Sequence, residues 1–114
     1  MTSEDLARHC AAYAADKHAE NVLALDLRGI STFTDFFVIC SGSSEPQLKA
    51  IASGITDRLR EDHQIRPHAI DGHPLSQWVV MDLSDVIVHI FHQSKRELYS
   101  LEDLWSDAPR VAVG

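Results

Sequence analysis

Hydrophobic and polar positions recur along the chain with two alternating periods, one typical of helices and the other typical of strands. Apolar residues at offsets of four, seven and eight from Leu6 predict an amphipathic helix that ends near Lys17. Two short apolar runs follow, at residues 22–27 and 36–40, and both stop at turns that contain glycine. They predict two strands, the second of which is apolar enough to be buried on both faces.

Capping signals mark where the two longest predicted helices begin. Thr2 and Asp5 have the spacing of an acidic capping box in front of the first helix. Ser44 and Gln47 have the same spacing in front of a second helix, whose apolar positions run from 48 to 59 with helical periodicity. The two signals therefore predict the start of each helix independently of its apolar pattern.

The middle of the chain predicts the remaining strands. Residues 66–70 suit a brief edge strand, because Pro67 has no backbone N–H to donate within a sheet. Two apolar runs, 78–83 and 86–91, flank the short polar turn Ser84-Asp85 and predict an antiparallel hairpin. Together the elements predict an α/β fold, a single domain in which a mixed β-sheet carries its helices mainly on one face.

The last part of the chain carries two capping signals only six residues apart, at 94–97 and 100–103. This close spacing predicts two short helical turns with a break at Ser100 rather than one long helix. Pro109 then ends the ordered part, so that residues 1–109 form one domain and residues 110–114 a loose tail.

The predicted hairpin has two chemically different faces, because opposed residues in antiparallel strands share a face. One face is wholly aliphatic and is the natural side for the helices to cover. The other face, which we call the mixed face, is expected to be exposed or half-exposed. Its members on the hairpin are Trp78, Val80, Asp82, Ile87, His89 and Phe91. Aromatic residues beside a few polar groups suit a protein–protein interface, but they could also pack beneath the C-terminal helices beside Trp105.

Composition narrows the possible partners. With 114 residues, 45% of them hydrophobic, the chain has enough apolar material for one packed core. Ten Lys and Arg against seventeen Asp and Glu give a net charge of −7, which disfavours direct readout of nucleic acid and favours a basic protein partner.

Cys10 and Cys40 form no C-x-x-C pair and are expected to be reduced core residues. Without a membrane-length apolar run or a basic leader, the chain is expected to be cytoplasmic.

Candidate catalytic and metal sites are weak. His89 and His92 are three apart on a predicted strand and so point to opposite faces, which argues against a shared metal ion. The Gly42-Ser43 turn between a strand and a helix is similar to the phosphate-binding turn of nucleotidyltransferases. The paired acids that would hold magnesium beside such a turn are missing, so helix capping explains it better. No catalytic residue, metal ligand or cofactor is predicted.

Five blocks of the sequence, taken in order, resemble the ribosomal silencing factor (Iojap-like) family. The blocks are VLALDLRG at 22–29, TDFFVICSGSS at 34–44 followed by Gln47, WVVMD at 78–82, DVIVHIF at 85–91 and RELYSLEDLW at 96–105. Each block alone is a weak match. All of them in order make a specific one, which spans the chain from about Leu6 to Pro109.

The resemblance implies an α/β fold like that of nucleotidyltransferases but without their catalytic acids. It implies that the protein binds protein fourteen of the large ribosomal subunit, sterically blocks joining of the small subunit and so represses translation. It also implies a homodimer in the free state. Carried over residue by residue, the partner-binding region falls on Trp78, Asp82, His89, Phe91, Tyr99 and Leu101.

Two hypotheses of other classes remain beside this one. The first is a nucleotidyltransferase-like enzyme or nucleotide-binding protein, which predicts that magnesium with a nucleotide raises the melting temperature. The second is a homodimeric scaffold whose mixed face is only its own dimer interface. It predicts that a change at Trp78 breaks the dimer.

Overall fold

The structure, a computed structural model, describes residues 1–72, 77–99, 103 and 105–111, with the backbone alone described at 97–99. The helices are α1 Ser3–Asp16, α2 Glu45–His63 and α3 Gln93–Tyr99. The strands are β1 Glu20–Asp26, β2 Phe36–Gly42, β3 Ala69–Asp71, β4 Trp78–Asp82, β5 Val86–His92 and β6 Arg110–Val111. Neither of the two long helices, nor the short α3, combines the length and the apolar character needed to span a membrane.

All of these strands belong to one mixed sheet with the order β3-β4-β5-β2-β1-β6. β2 and β5 run parallel, and every other neighbouring pair runs antiparallel. β2 lies near the centre and is buried along its whole length, as its continuous apolar run predicted. The predicted α/β fold with a mixed sheet is therefore confirmed.

The sheet has one face covered by α1 and α2, which we call the helical face. Its strands contribute aliphatic side chains to a core shared with both helices. The predicted hairpin register is confirmed, because Met81 lies opposite Val88 and Val79 lies opposite Ile90. The helices thus cover the aliphatic side of the hairpin, and the mixed face is the opposite side of the sheet.

The two long helices begin at the predicted caps. At α1 the capping box is reciprocal: the side chains of Thr2 and Asp5 each accept the other's backbone N–H at 3.1 Å. At α2, Ser44 Oγ accepts the Gln47 N–H at 3.2 Å. In a simple capping box the Gln47 side chain would accept the N–H of Ser44. Here Gln47 Oε1 accepts the N–H of Ser43 instead, at 2.6 Å. In this structure the Gly42-Ser43 turn is therefore engaged in starting α2.

The start of α3 differs from the prediction. The helix begins at Gln93, one residue before the predicted cap at Ser94. The reason is that the Nδ1 atom of His92 accepts the Ser94 N–H at 3.2 Å, so that an imidazole at the end of β5 takes the place of the cap. The break predicted at Ser100 lies outside the described residues, as does most of the second capping signal.

The predicted limits of two other segments also change. The edge strand predicted at 66–70 is confirmed as an edge strand but begins later, at Ala69. Residues Arg110–Val111 are not loose as expected: they form β6 and pair with Ala24 and Leu25 of β1. Residues 112–114 lie outside the described part of the chain.

Candidate partner-binding site

A row of aromatic rings crosses the mixed face of the sheet. Trp78 on β4 stacks on Phe91 of β5, with 5.0 Å between ring centroids, and lies 5.8 Å from His89. His89 in turn meets the edge of Phe37 on β2 at 4.6 Å. Phe37 contacts Trp105, from the C-terminal part of the chain, edge-on at 5.9 Å. Rings from three neighbouring strands and the C-terminal segment therefore form one cluster.

Burial divides the predicted site residues into two groups. Trp78 and Asp82, both on β4, are half-buried. Phe91 and His89 on β5 are only 0% and 6% exposed. The expectation of an exposed mixed face is wrong for this second pair, because both side chains pack within the ring cluster, against Trp78 and Phe37. The core interpretation thus applies to β5, while the half-exposed surface lies on β4.

His89 is held as a neutral imidazole with a defined proton position. Trp78 Nε1–H donates to His89 Nδ1 at 3.2 Å, so the neutral ring carries its proton on Nε2. Burial lowers the pKa of His89 from 6.5 to about 4. The Nε2 atom is itself buried and has no hydrogen-bond partner within the described residues. His89 therefore acts at neutral pH as an uncharged acceptor that fixes the orientation of the Trp78 ring.

Asp82 combines a structural contact with a surface charge. Its Oδ1 atom accepts the N–H of Ser84 at 2.8 Å, which stabilises the hairpin turn where Ser84 adopts a left-handed φ of 71°. Asp71 of β3 lies opposite Val80, so it also belongs to the mixed face. The part of the mixed face formed by β3 and β4 consequently carries two acidic residues as well as the half-buried indole of Trp78.

Comparison with known proteins identifies the family. The whole chain, residues 1–114, matches the family described as "Ribosomal silencing factor during starvation". The chain belongs to this family. It is 43% identical over 109 residues to "Ribosomal silencing factor RsfS" of Bacillus subtilis, and the aligned region covers 96% of this chain and 92% of that protein. It is 41% identical over 113 residues to the protein of that name in Halalkalibacterium halodurans, covering 99% and 96% respectively.

A solved structure supports the same assignment. A crystal structure of a protein from Chromobacterium violaceum superposes with a TM-score of 0.87 at 26% sequence identity. The superposition covers 100% of this chain and 95% of that one. The resemblance to ribosomal silencing factors that the sequence blocks indicated is thus confirmed over the full length.

The remaining predicted site residues lie at the end of α3 and just after it. Tyr99 is its last residue, and the side chain of Tyr99, like the whole of Leu101, lies outside the described part. The helix that leads to them is firmly anchored. Arg96, only 7% exposed, donates from Nη1 to the Asn21 carbonyl oxygen at 2.6 Å and to Ser41 Oγ at 2.9 Å. These bonds fix the direction in which α3 leaves β5.

One further aromatic residue lies beside the cluster, although its sequence pattern did not predict a site residue. Phe33, in the loop between β1 and β2, lies 6.1 Å from Phe37 and 6.5 Å from Trp105 between ring centroids. Its side chain is 61% exposed. The available signal was a lone aromatic residue among the polar residues of a loop, and a pattern of that kind does not reveal which face of the sheet the loop borders.

Proposed function

We propose that this silencing factor binds the large ribosomal subunit through protein fourteen of that subunit and blocks joining of the small subunit, which represses translation. The observation that carries the proposal is the half-buried indole of Trp78 on the mixed face. Its ring stacks on Phe91 and its N–H is bound by His89, so its orientation is fixed before any partner arrives. A half-exposed tryptophan that is held in one orientation, on a face that also carries polar groups, is typical of a binding hot spot.

The charge of the molecule favours a basic protein as the direct contact. The net charge is −7, and two acidic residues, Asp71 and Asp82, belong to the same mixed face as the Trp78 indole. An acidic surface attracts a basic ribosomal protein and is repelled by the phosphates of the surrounding RNA. We therefore propose contact through protein rather than direct readout of nucleic acid.

The proposed mechanism is occupancy of a surface, without a catalytic step or a cofactor. Trp78 is the apolar anchor, and Asp82 supplies the charge that faces a basic group. His89 and Phe91 act behind them, because they are buried and hold the indole in place. Tyr99 and Leu101 are proposed to extend the contact from the end of α3. In the cytoplasm, the protein not bound to ribosomes is proposed to be a homodimer.

Co-sedimentation with isolated large subunits tests this proposal, together with a subunit-joining assay. The wild-type protein should sediment with large subunits and reduce the fraction of joined ribosomes. Trp78→Ala should lose both effects. Ile70→Ala is a matched control, because Ile70 is an apolar side chain that is 50% exposed and pairs with Met81, on the helical face.

Two outcomes would overturn the proposal. One is a wild-type protein that binds neither subunit. The other is a Trp78→Ala protein that remains folded by circular dichroism and still sediments and blocks joining as the wild type does. If Ile70→Ala loses as much binding as Trp78→Ala, the interface does not lie on the mixed face.

A further inference from the structure

The loop between β1 and β2 exposes apolar surface next to the aromatic cluster. Phe33 and Ile30 in this loop are 61% and 45% exposed, and they are among the most exposed large apolar side chains of the described residues. Folded domains seldom leave contiguous apolar groups in water unless another surface covers them.

Backbone hydrogen bonds hold the loop in a defined shape. The N–H groups of Ile30 and Ser31 both donate to the carbonyl oxygen of Leu27, at 3.0 and 2.9 Å, around Gly29 with its φ of +82°. The Phe33 N–H donates to Ser31 Oγ at 3.3 Å. A side chain presented by such a loop loses little further conformational freedom when it is buried against a partner.

The far end of the loop is tied to the turn of the hairpin. The Asp35 N–H donates to the carbonyl oxygen of Asp85 at 3.0 Å, and Asp85 follows the turn residue Ser84. The carboxylate of Asp82 binds that same turn. Three acidic residues, Asp35, Asp82 and Asp85, are therefore grouped at the end of the sheet from which Phe33 projects.

Phe33 is also continuous with the surface that carries Trp78. Its ring lies 6.1 Å from Phe37, which meets His89 at 4.6 Å, and His89 lies beside Trp78 at 5.8 Å. Neighbouring strands are about 4.8 Å apart and each strand residue adds about 3.3 Å, so the path from Trp78 to the loop runs roughly 10 Å across the sheet and roughly 17 Å along it, from Phe91 to Val86 of β5. That extent is compatible with a single protein contact.

We propose that Phe33 is a second apolar anchor of the partner-binding surface, at the opposite end of the ring cluster from Trp78. It inserts into an apolar pocket on the basic protein partner, and that pocket is flanked by lysine or arginine side chains that face Asp35, Asp82 and Asp85. This inference rests on the proposed function. It adds a contact site and the chemistry of the surface that the site recognises.

The test compares Phe33→Ser with two other variants in binding to isolated large subunits. Phe33→Ser should weaken binding by about tenfold or more, as expected for loss of an anchor residue, and should leave the melting temperature unchanged because the side chain is exposed. Phe33→Leu keeps an apolar side chain and should retain most of the affinity. Ile70→Ser removes an exposed apolar side chain from the helical face and should bind like the wild type.

The outcomes separate this inference from the proposed function. If Phe33→Ser binds as the wild type does while Trp78→Ala loses binding, the inference is overturned and the proposed function stands. If Phe33→Ser and Ile70→Ser weaken binding equally, or if Phe33→Ser changes only self-association, the inference is again overturned. A wild-type protein that binds no large subunit removes both.

Discussion

Acidification should destabilise this protein through one buried imidazole, that of His89. The rings of Phe37, Trp78 and Phe91 surround it, and burial lowers the pKa of His89 from 6.5 to about 4. The unfolded chain therefore binds this proton at higher pH than the folded chain. The stabilising contribution is complete above pH 6.5 and is lost as the pH falls towards 4.

The size of the effect follows from the separation of the two pKa values. Each pH unit of separation corresponds to about 1.4 kcal/mol, so the contribution of His89 to the free energy of unfolding should fall by about 2–3 kcal/mol between about pH 7.5 and about pH 4.5. That is a large share of the roughly 5–15 kcal/mol that stabilises a typical domain. The effect should therefore be visible in ordinary denaturant titrations.

Urea unfolding followed by circular dichroism, repeated across this pH range, measures the effect. His89→Gln removes the titrating group and keeps a side chain of similar length, so its loss of stability on acidification should be smaller than that of the wild type by about 2–3 kcal/mol. His68→Gln, at an exposed position, controls for the removal of one histidine. If the wild type and His89→Gln lose stability in parallel, the imidazole is not the group that makes folding sensitive to acid, and the reasoning from its burial fails.

The remaining predictions rest on particular contacts. Phe91→Ala should lower the free energy of unfolding by about 3–5 kcal/mol in denaturant titrations, because the side chain is 0% exposed. Trp78→Phe keeps a ring against Phe91 but loses the N–H donated to His89, so the free energy of unfolding should fall by only about 1 kcal/mol. Equal losses of stability in Phe91→Ala and Trp78→Phe would contradict this expectation. Asp82→Ala should destabilise the hairpin by about 1 kcal/mol, because it loses the hydrogen bond from the Ser84 N–H. Asp82→Asn keeps that bond and should unfold like the wild type, so any loss of ribosome binding in this variant comes from the removed negative charge. Burial raises the pKa of both Cys10 and Cys40 to about 12, so a disulfide reagent at neutral pH should label them only after unfolding, and rapid labelling of the native protein would show that they are accessible. Thr2→Ala should lower the melting temperature by removing the side-chain oxygen that accepts the Asp5 N–H, at a cost of about 1 kcal/mol.

Local chemistry explains which parts of the fold the sequence predicted. The caps at Thr2 and Ser44 depend on residues three positions apart, so the sequence alone contains both partners. The hairpin register depends on a period of two around a short turn, and the structure reproduces the predicted pairs. In both cases the interacting groups lie close together in the chain.

Contacts between distant segments explain what the sequence analysis missed. β6 is two residues long and has no pattern of its own, because its pairing depends on the free edge of β1 about 85 positions earlier. The start of α3 was placed at Ser94 because serine is a favoured cap. The imidazole of His92 fills that role only because β5 ends where it does.

The burial of Phe91 and His89 shows the same limit at the candidate site. Alternation along β5 correctly assigned both side chains to the mixed face. It carries no information about what covers that face. Trp105 and Ala108 join the same cluster, with Trp105 edge-on to Phe37, and both come from the segment that follows α3. The anchoring of Arg96 to the Asn21 carbonyl oxygen, which fixes the direction of α3, joins groups 75 residues apart.

The mixed face therefore has to serve as part of the core and as the proposed docking surface at once. The helices α1 and α2 cover the opposite side of the sheet, and among the described residues the inner part of the mixed face packs against its own rings, Trp105 and Ala108. Any substitution that loosens Phe91 also frees the indole of Trp78, because the two rings are stacked. A loss of ribosome binding in a Phe91 variant would for this reason report on the position of Trp78 rather than on a contact made by Phe91. Only variants that keep their stability, such as Asp82→Asn and Phe33→Ser, can map the contact itself.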